Sequence, residues 1–321
     1  MEHISKLIEE YLIYCKDQKK LSPNTLRAYQ IDMTQFIIFL KKKGLESSPA
    51  SEIDKKALHC YISELLKTYA ARSCKRKIAC LKAFFNHLEY EDIIVVNPFR
   101  KLRINIKEPR ILPKTIKKQD VSVLLDHAYH RAASANTTYT TFMTSRAVAI
   151  TELLLATGIR IGEACRLKVE DIDFQDKSIR IVGKGDKERI VYLTSNTVLK
   201  ALHRYLSVRN SIHSNSSFFF TGWKRPSLFD GAIRNIIRNT AQSVLKKRIT
   251  PHMYRHTFAT LLLEHNVDIC YIQHLLGHSS VKTTQIYLHL SNNSIREALS
   301  KAHIRERLIP PQLKLLSPYL I

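Results

Sequence analysis

Apolar side chains recur every three or four residues along the first ninety positions, which is the spacing of one face of an amphipathic helix. A serine followed by proline marks one helix start, because serine caps a helix and proline suits its first position. The pattern predicts four helices: residues 4–15, a helix that starts at Ser22-Pro23 and ends near Gly44, residues 54–68 and residues 72–90. We therefore predict an N-terminal helical domain over residues 1–99.

The pattern changes after the fourth helix. Residues 100–118 contain two prolines, eight basic residues and one acidic residue without helical spacing, so they predict a basic linker. A larger domain, 119–321, is predicted to be mostly helical, with a loop at 132–145. Within it, 178–182 and 188–193 alternate on both sides of a glycine-rich turn, which is typical of a β-hairpin. The expected fold is mainly α with a small β-hairpin or sheet, a helical domain being followed by a mixed α/β domain.

Net charge separates the possible partners. The chain has 51 basic and 28 acidic residues, a formal net charge of +23. There are 20 basic and 13 acidic residues up to Glu108, and 31 and 15 after it, so both halves are positive. Positive charge spread over two domains favours a polyanion such as nucleic acid, bound with strong salt dependence. From charge alone, solubility or a ribosomal or membrane-surface partner remains an alternative.

Targeting signals are not apparent. No apolar run reaches the roughly 18 residues of a membrane span, and the first residues lack the basic and apolar regions of a secretion signal. We therefore expect a cytoplasmic protein without a membrane partner.

The sequence predicts no metal site and no cofactor. Its six cysteines form no C-x-x-C pair, which argues against a zinc ribbon and, with no secretion signal, against a disulfide framework. His252 and His256 have H-x-x-x-H spacing, but Met253 stands where a zinc protease has glutamate, and no further ligands cluster nearby.

Arg160 and Arg255 are candidates for binding a phosphate group. A guanidinium is planar, permanently charged and able to donate to two oxygens, so two of them can stabilise the charge of a phosphodiester transition state. Arg160 lies in an apolar segment near Glu163, which predicts a structural ion pair, a glutamate that orients the arginine, or both. His252 and Arg255 lie three residues apart on a helix that starts at Thr250-Pro251, so they share a face.

Three more residues have chemistry that suits strand cleavage. Lys184 lies between two glycines at the hairpin tip, either as a solubilising turn residue or as a proton donor to a leaving 5′-oxygen. His278 follows Gly277, the expected C-cap of a helix over 268–276. Tyr287 is one of fourteen tyrosines, and the residues alone do not distinguish it from a core tyrosine. A phenol has a pKa near 10 and needs such cations and an imidazole nearby to become a nucleophile.

Basic residues crowd the start of the fourth predicted helix. Arg72, Lys75, Arg76 and Lys77 precede its apolar positions. They indicate either a solvated helix end or a helix whose first turns lie against DNA phosphates.

In order, Arg160, Lys184, His252-x-x-Arg255, His278 and Tyr287 resemble the six catalytic positions of the tyrosine recombinase, or phage-integrase-like, family. The surrounding segments are similar too: Ala-Thr-Gly-Ile-Arg, Gly-Lys-Gly-Asp-Lys-Glu-Arg, His-x-x-Arg-His-Thr-Phe-Ala-Thr, Leu-Leu-Gly-His-Ser-Ser and Thr-Thr-Gln-Ile-Tyr. The early Leu-Ser-Pro-Asn-Thr-Leu-Arg-Ala-Tyr resembles the start of the family's core DNA-binding domain. The resemblance covers nearly the whole chain, and six positions in order make it specific.

The resemblance implies a mechanism without metal or nucleotide. Tyr287 is expected to form a 3′-phosphotyrosyl bond while Arg160, Arg255 and His278 hold the phosphate. His252 is then the expected proton acceptor and Lys184 the proton donor, with Glu163 in support. The chain starts directly on the core-binding helices, which favours a two-domain recombinase of the Xer or transposon-resolving type.

The resemblance also implies partners. We expect a double-stranded DNA recombination site bound by a homo-tetramer, or by a hetero-tetramer with a related recombinase, with possible accessory proteins and a location at the nucleoid. The tail at about 308–321 is expected to dock on a neighbouring protomer. Type IB topoisomerase activity and a non-catalytic DNA-binding regulator are the alternatives. The target sequence and the choice between integration, excision, inversion and resolution do not follow from the residues.

Overall fold

The computed structural model describes residues 3–107, 114–183, 186–213, 215–277 and 299–303. The chain forms two compact units, residues 1–111 and 112–321, so the division falls within the predicted linker. Helices dominate both units, and a three-stranded antiparallel sheet accompanies them in the second, which confirms the predicted fold class. In the described part of the chain, no helix combines the length and apolar character needed to cross a membrane.

Unit 1 is a helical bundle, as its apolar spacing predicts. Its helices are α1 (Ile4–Asp17), α2 (Pro23–Lys42), α3 (Lys55–Thr68) and α4 (Ala71–Tyr90). Ser22 caps α2, its Oγ accepting the backbone N–H of Thr25 at 3.3 Å. The apolar faces meet in one core whose large members include Tyr11, Phe36 and Phe84, each 1% exposed or less.

Part of the predicted linker packs on unit 1. Leu102, Ile104 and Ile106 are half-buried against its core, while Arg103 and Lys107 between and after them are exposed. This alternation has a period of two, as in an extended chain that covers a surface with every second side chain.

Lys77 does not belong to the exposed basic cluster, which corrects the prediction that it contacts DNA. Arg72 and Lys75 are exposed, but Lys77 is only 3% exposed. Its Nζ donates to Asp32 Oδ1 at 2.9 Å and to Gln35 Oε1 at 2.5 Å, and Arg76 Nη2 donates to the same Asp32 oxygen at 2.9 Å. A buried charge needs such partners, so Lys77 ties α4 to α2.

Asp32→Ala is expected to destabilise unit 1 by about 3–5 kcal/mol, because it leaves the Lys77 ammonium buried without a counter-charge. Arg76 is half-exposed and can turn to water, whereas Lys77 cannot. Thermal unfolding followed by circular dichroism measures the loss. The control is Glu10→Ala, which removes the exposed Lys6–Glu10 pair and should cost less than about 1 kcal/mol. Equal losses of stability for the two variants would show that Asp32 stabilises unit 1 no more than an exposed ion pair does.

Unit 2 is built around one long buried helix, α6 (Thr138–Thr157). Its helices are α5 (Lys118–Ala133), α6 (Thr138–Thr157), α7 (Ile161–Arg166), α8 (Asn196–His213), α9 (Asp230–Leu245), α10 (Pro251–Glu264) and α11 (Ile269–Leu276). Its strands are β1 (Ile172–Asp173), β2 (Ser178–Val182) and β3 (Glu188–Tyr192), in the order β1-β2-β3. Helix α6 is buried on nearly all sides, and β2 and β3 form the predicted hairpin.

The predicted loop at 132–145 is wrong, because α5 continues through Ala133 and α6 already begins at Thr138. Thr137 caps α6: its Oγ1 accepts the Thr140 N–H at 3.1 Å, and the Thr140 hydroxyl accepts the Thr137 N–H at 3.0 Å. Inside the helix, the hydroxyl of Thr144 donates to the Thr140 carbonyl at 2.7 Å. Hydroxyls that bond within their own helix let a polar sequence enter a buried helix.

Candidate functional site

A sharp turn between α6 and α7 positions Arg160. Helix α6 ends at Thr157 and is capped by Gly158, whose φ of 61° is left-handed, and Arg160 is the residue that precedes α7. A Cβ at Gly158 would lie 2.5 Å from Cδ1 of Phe258, so only glycine fits between the turn and α10. The Arg160 side chain keeps 41% of its surface exposed, so it remains accessible to an anion.

Helix α10 presents Arg255, and it begins at Thr250-Pro251 as predicted. Arg255 is 6% exposed; its Nη1 donates to the Gly158 carbonyl at 2.9 Å and its Nη2 to the Leu276 carbonyl at 2.5 Å. Burial, aided by the charge of Arg160, lowers the pKa of Arg255 to about 10. The side chain therefore stays cationic at neutral pH.

The two guanidiniums meet at the end of α11. This helix ends at Leu276 and is capped by Gly277, whose φ is 62°, as expected of a glycine C-cap. Arg160 donates from Nη1 to the Leu276 carbonyl at 3.3 Å and from Nη2 to the Gly277 carbonyl at 3.1 Å. One carbonyl oxygen, that of Leu276, thus accepts from both arginines. Two positive charges so close repel each other, and an anion at this place would relieve the repulsion.

Glu163 forms an ion pair with Arg160 and also holds it in place, so the two alternatives considered for this pair occur together. Its Oε2 accepts the backbone N–H of Arg160 at 2.8 Å, and its Oε1 accepts the Arg160 Nη1 at 2.9 Å. Burial acts to raise the pKa of the Glu163 carboxyl, but hydrogen bonds from Arg189 and Arg160 outweigh it and hold the pKa below its usual value.

Arg189 belongs to the site but is not among the residues predicted from the sequence. It lies on β3, is 8% exposed, and donates to both Glu163 oxygens at 3.1 and 2.8 Å. A signal existed, because Arg189 has the same strand parity as the buried Val191 and Leu193 and therefore faces inward with them. An arginine on a buried face requires a partner.

Of the other predicted residues, the structure describes some and leaves others outside the described ranges. His252 is exposed at the start of α10, and the half-buried His256 lies one turn further on. Burial, with the charges of His252 and Arg255, lowers the pKa of His256. Lys184, His278 and Tyr287 lie outside the described residues. Within the described ranges, no group of three or more His, Cys, Asp or Glu side chains is arranged to hold a metal ion.

Known proteins are similar to this chain in both sequence and fold. Residues 114–294 match the phage integrase family, and residues 8–92 match the N-terminal SAM-like domain of phage integrases. A tyrosine recombinase of Agathobacter rectalis is 41% identical over 307 residues, which cover 95% of this chain and 99% of that protein.

Solved structures show the same fold at lower identity. The XerH site-specific recombinase bound to a palindromic difH substrate, in a post-cleavage complex, has a TM-score of 0.68 at 22% identity, covering 89% of this chain and 82% of that one. A lambda integrase tetramer bound to a Holliday junction has a TM-score of 0.64 at 19% identity, covering 89% and 77%. With a family model over more than half of its length and a relative that aligns almost end to end, this chain belongs to the phage integrase family and is a tyrosine-type site-specific DNA recombinase.

Proposed function

We propose that this recombinase cuts and rejoins double-stranded DNA through a 3′-phosphotyrosyl intermediate formed by Tyr287. The observation that carries the proposal is the convergence of Arg160 and Arg255 on the Leu276 carbonyl. The Arg160 guanidinium from the turn before α7 and the Arg255 guanidinium from α10 meet there, the first partly exposed and the second buried. A phosphate that approaches Arg160 enters the field of both cations, and its non-bridging oxygens offer better acceptors than a carbonyl.

The cleavage step balances as an in-line transfer. The Tyr287 Oη attacks phosphorus, a bond from phosphorus to that oxygen forms, and the bond from phosphorus to the 5′-oxygen breaks. We assign His252 to accept the phenolic proton and Lys184 to return a proton to the leaving 5′-oxygen. His278, directly after the Gly277 cap, is assigned as a further donor to the phosphate. Arg160 and Arg255 meet the charge that grows on the non-bridging oxygens, where each such donor contributes about 10²–10³ in rate.

Rejoining reverses the same chemistry. The free 5′-hydroxyl of a partner strand attacks the phosphotyrosyl ester and releases Tyr287, so the phosphodiester energy is kept without nucleotide. Two such exchanges on two sites pass through a Holliday junction, for integration, excision or resolution. We propose four protomers on two sites, either of this chain or with a related recombinase, in keeping with the lambda integrase tetramer on its Holliday junction. The net charge of +23 suits a duplex partner.

Both units contribute positive charge toward DNA. In unit 1 we retain Arg72, Lys75 and Arg76 at the start of α4 as candidate phosphate contacts. Arg72 and Lys75 are exposed, and Arg76 keeps 46% of its side chain exposed beside Asp32. These contacts would set the position of the protein on DNA without reading its sequence.

Covalent trapping tests the proposed function. Sequencing host DNA that stays attached to the protein under denaturing conditions gives the target site, and a duplex of that site with a nick beside the cleavage position traps the intermediate. The expected product resists denaturation, forms equally in the presence of a chelator, and yields a DNA-linked peptide that contains Tyr287. An adduct on another residue, or strand breakage that stops when the chelator is added, would contradict the proposal.

A further inference from the structure

Arg189 lies in unit 2, where its charged group is buried away from solvent. It follows Glu188 at the start of β3 and pairs across the hairpin with the buried Ile181 of β2. Only 6% of its side chain is exposed. The neighbouring strand carries a useful contrast in Arg180, which points outward with 46% of its side chain exposed.

The three nitrogens of the Arg189 guanidinium group each have an acceptor. Nη1 donates to Glu163 Oε1 at 3.1 Å and Nη2 to Glu163 Oε2 at 2.8 Å, while Nε donates to the Leu275 carbonyl at 2.7 Å. The group also packs under the turn that ends α11, since a Cβ on Gly277 would lie 3.1 Å from Nη1. Arg189 therefore touches both the carboxylate that holds Arg160 and the turn on which both phosphate-binding arginines meet.

Both oxygens of Glu163 are shared between the two arginines. Oε1 accepts from the side chains of Arg160 and Arg189, and Oε2 accepts from the Arg160 backbone N–H and from Arg189. With Arg189 present, the carboxylate is fixed in orientation and half of its hydrogen-bonding capacity is used away from Arg160. Without Arg189, the carboxylate is free to turn and pair with the Arg160 guanidinium alone, which draws that group away from a phosphate.

We propose that Arg189 is a positioning residue for strand cleavage: through Glu163 and the end of α11, it sets the Arg160 guanidinium where the scissile phosphate binds. This role rests on the proposed function and goes beyond it, because Arg189 neither binds the phosphate nor exchanges a proton. It acts through Glu163 and the turn at Gly277.

The test separates DNA binding from cleavage on the nicked duplex. Single-turnover cleavage at saturating protein and the Kd for the duplex are measured for wild type, Arg189→Gln, Arg189→Lys, Glu163→Gln and the double variant Glu163→Gln/Arg189→Gln. The matched control is Arg180→Gln, on the outward face of the same hairpin. Lysine keeps the charge but lacks the three-nitrogen fork, and the double variant removes both charges of the buried Arg189–Glu163 pair, so both serve if Arg189→Gln fails to fold.

We expect Arg189→Gln to slow saturated cleavage by about 10- to 100-fold, a loss of the size found when a hydrogen-bond partner that orients a metal ligand is removed. Its Kd should change by no more than a few-fold. Arg189→Lys should lie between Arg189→Gln and wild type, and Arg180→Gln should match wild type. The double variant should be no slower than the slower single variant, because both changes interrupt the same connection.

Three outcomes would overturn the role of Arg189: cleavage by the folded Arg189 variants at the wild-type rate, losses in the double variant that multiply, or an equal loss in Arg180→Gln. A wild-type protein that forms no adduct would instead contradict the proposed function. The two failures are thus distinguished by the wild-type reaction.

Discussion

Tyr287→Phe is expected to abolish covalent capture of the nicked duplex while leaving the Kd for that duplex within a few-fold of wild type. Phenylalanine keeps the ring but has no oxygen, so no ester to phosphorus can form. The rest of the binding surface, including the cations in both units, is unchanged. The measurement is the fraction of labelled DNA that stays attached to protein on a denaturing gel.

The matched control for this variant is Tyr271→Phe. Tyr271 lies in α11, half-buried, and has no role in the proposed chemistry. It should form the adduct at the wild-type rate. That result would show that removing a phenol from α11 does not by itself prevent covalent capture. Capture of DNA by Tyr287→Phe at a wild-type level would remove Tyr287 as the nucleophile, whatever the Tyr271 result.

Arg255→Lys is expected to slow cleavage by about 10²–10³-fold, the range found when one donor to a developing anion is removed. The charge is kept, but a single ammonium cannot donate both to the Gly158 and to the Leu276 carbonyl as Arg255 does. It also loses the planar fork that two phosphate oxygens require. Because Arg255 is buried, it contributes little to the initial attraction of DNA, so the Kd should change far less than the rate.

Salt dependence separates Arg255 from an exposed phosphate contact. Arg72→Gln on α4 should weaken binding and make the slope of log K against log salt shallower by roughly 1, with the saturated cleavage rate preserved. Arg255→Lys should leave that slope unchanged. A cleavage rate within a few-fold of wild type in Arg255→Lys would mean that charge alone, and not the fork of two donors, is what α10 supplies.

Local sequence signals predicted most of the elements correctly, because their causes lie within a few residues. The Ser22-Pro23 start of α2, the Thr250-Pro251 start of α10 and the Gly277 end of α11 each depend on a cap and on the residues next to it. The helix faces follow from apolar spacing alone. The order of the candidate catalytic residues and of their surrounding segments also follows from the sequence, without knowledge of tertiary contacts.

Local sequence signals did not predict the structure of polar residues that are buried in the fold. The stretch 132–145 is rich in threonine and serine, and it was predicted as a loop because such residues are usual in turns. The capping pair Thr137–Thr140 and hydroxyls that bond to carbonyls of their own helix make most of it helical instead. A hydrophobicity pattern does not register this, since the polar groups are satisfied within the helix.

The sequence by itself determined the class of the protein, most of its helices and the hairpin, and it supplied the candidate side chains for the proposed phosphoryl transfer. The tertiary structure decided which charged residues work together. Lys77 stands among exposed basic residues in sequence, yet Asp32, 45 residues away along the chain, makes it part of the unit 1 core. Arg189 meets Glu163, 26 residues away, and Arg160 and Arg255 meet at the Leu276 carbonyl. The physical reason is that a buried charge is stable only beside a counter-charge or hydrogen-bond acceptors, and where those partners lie depends on how distant segments pack.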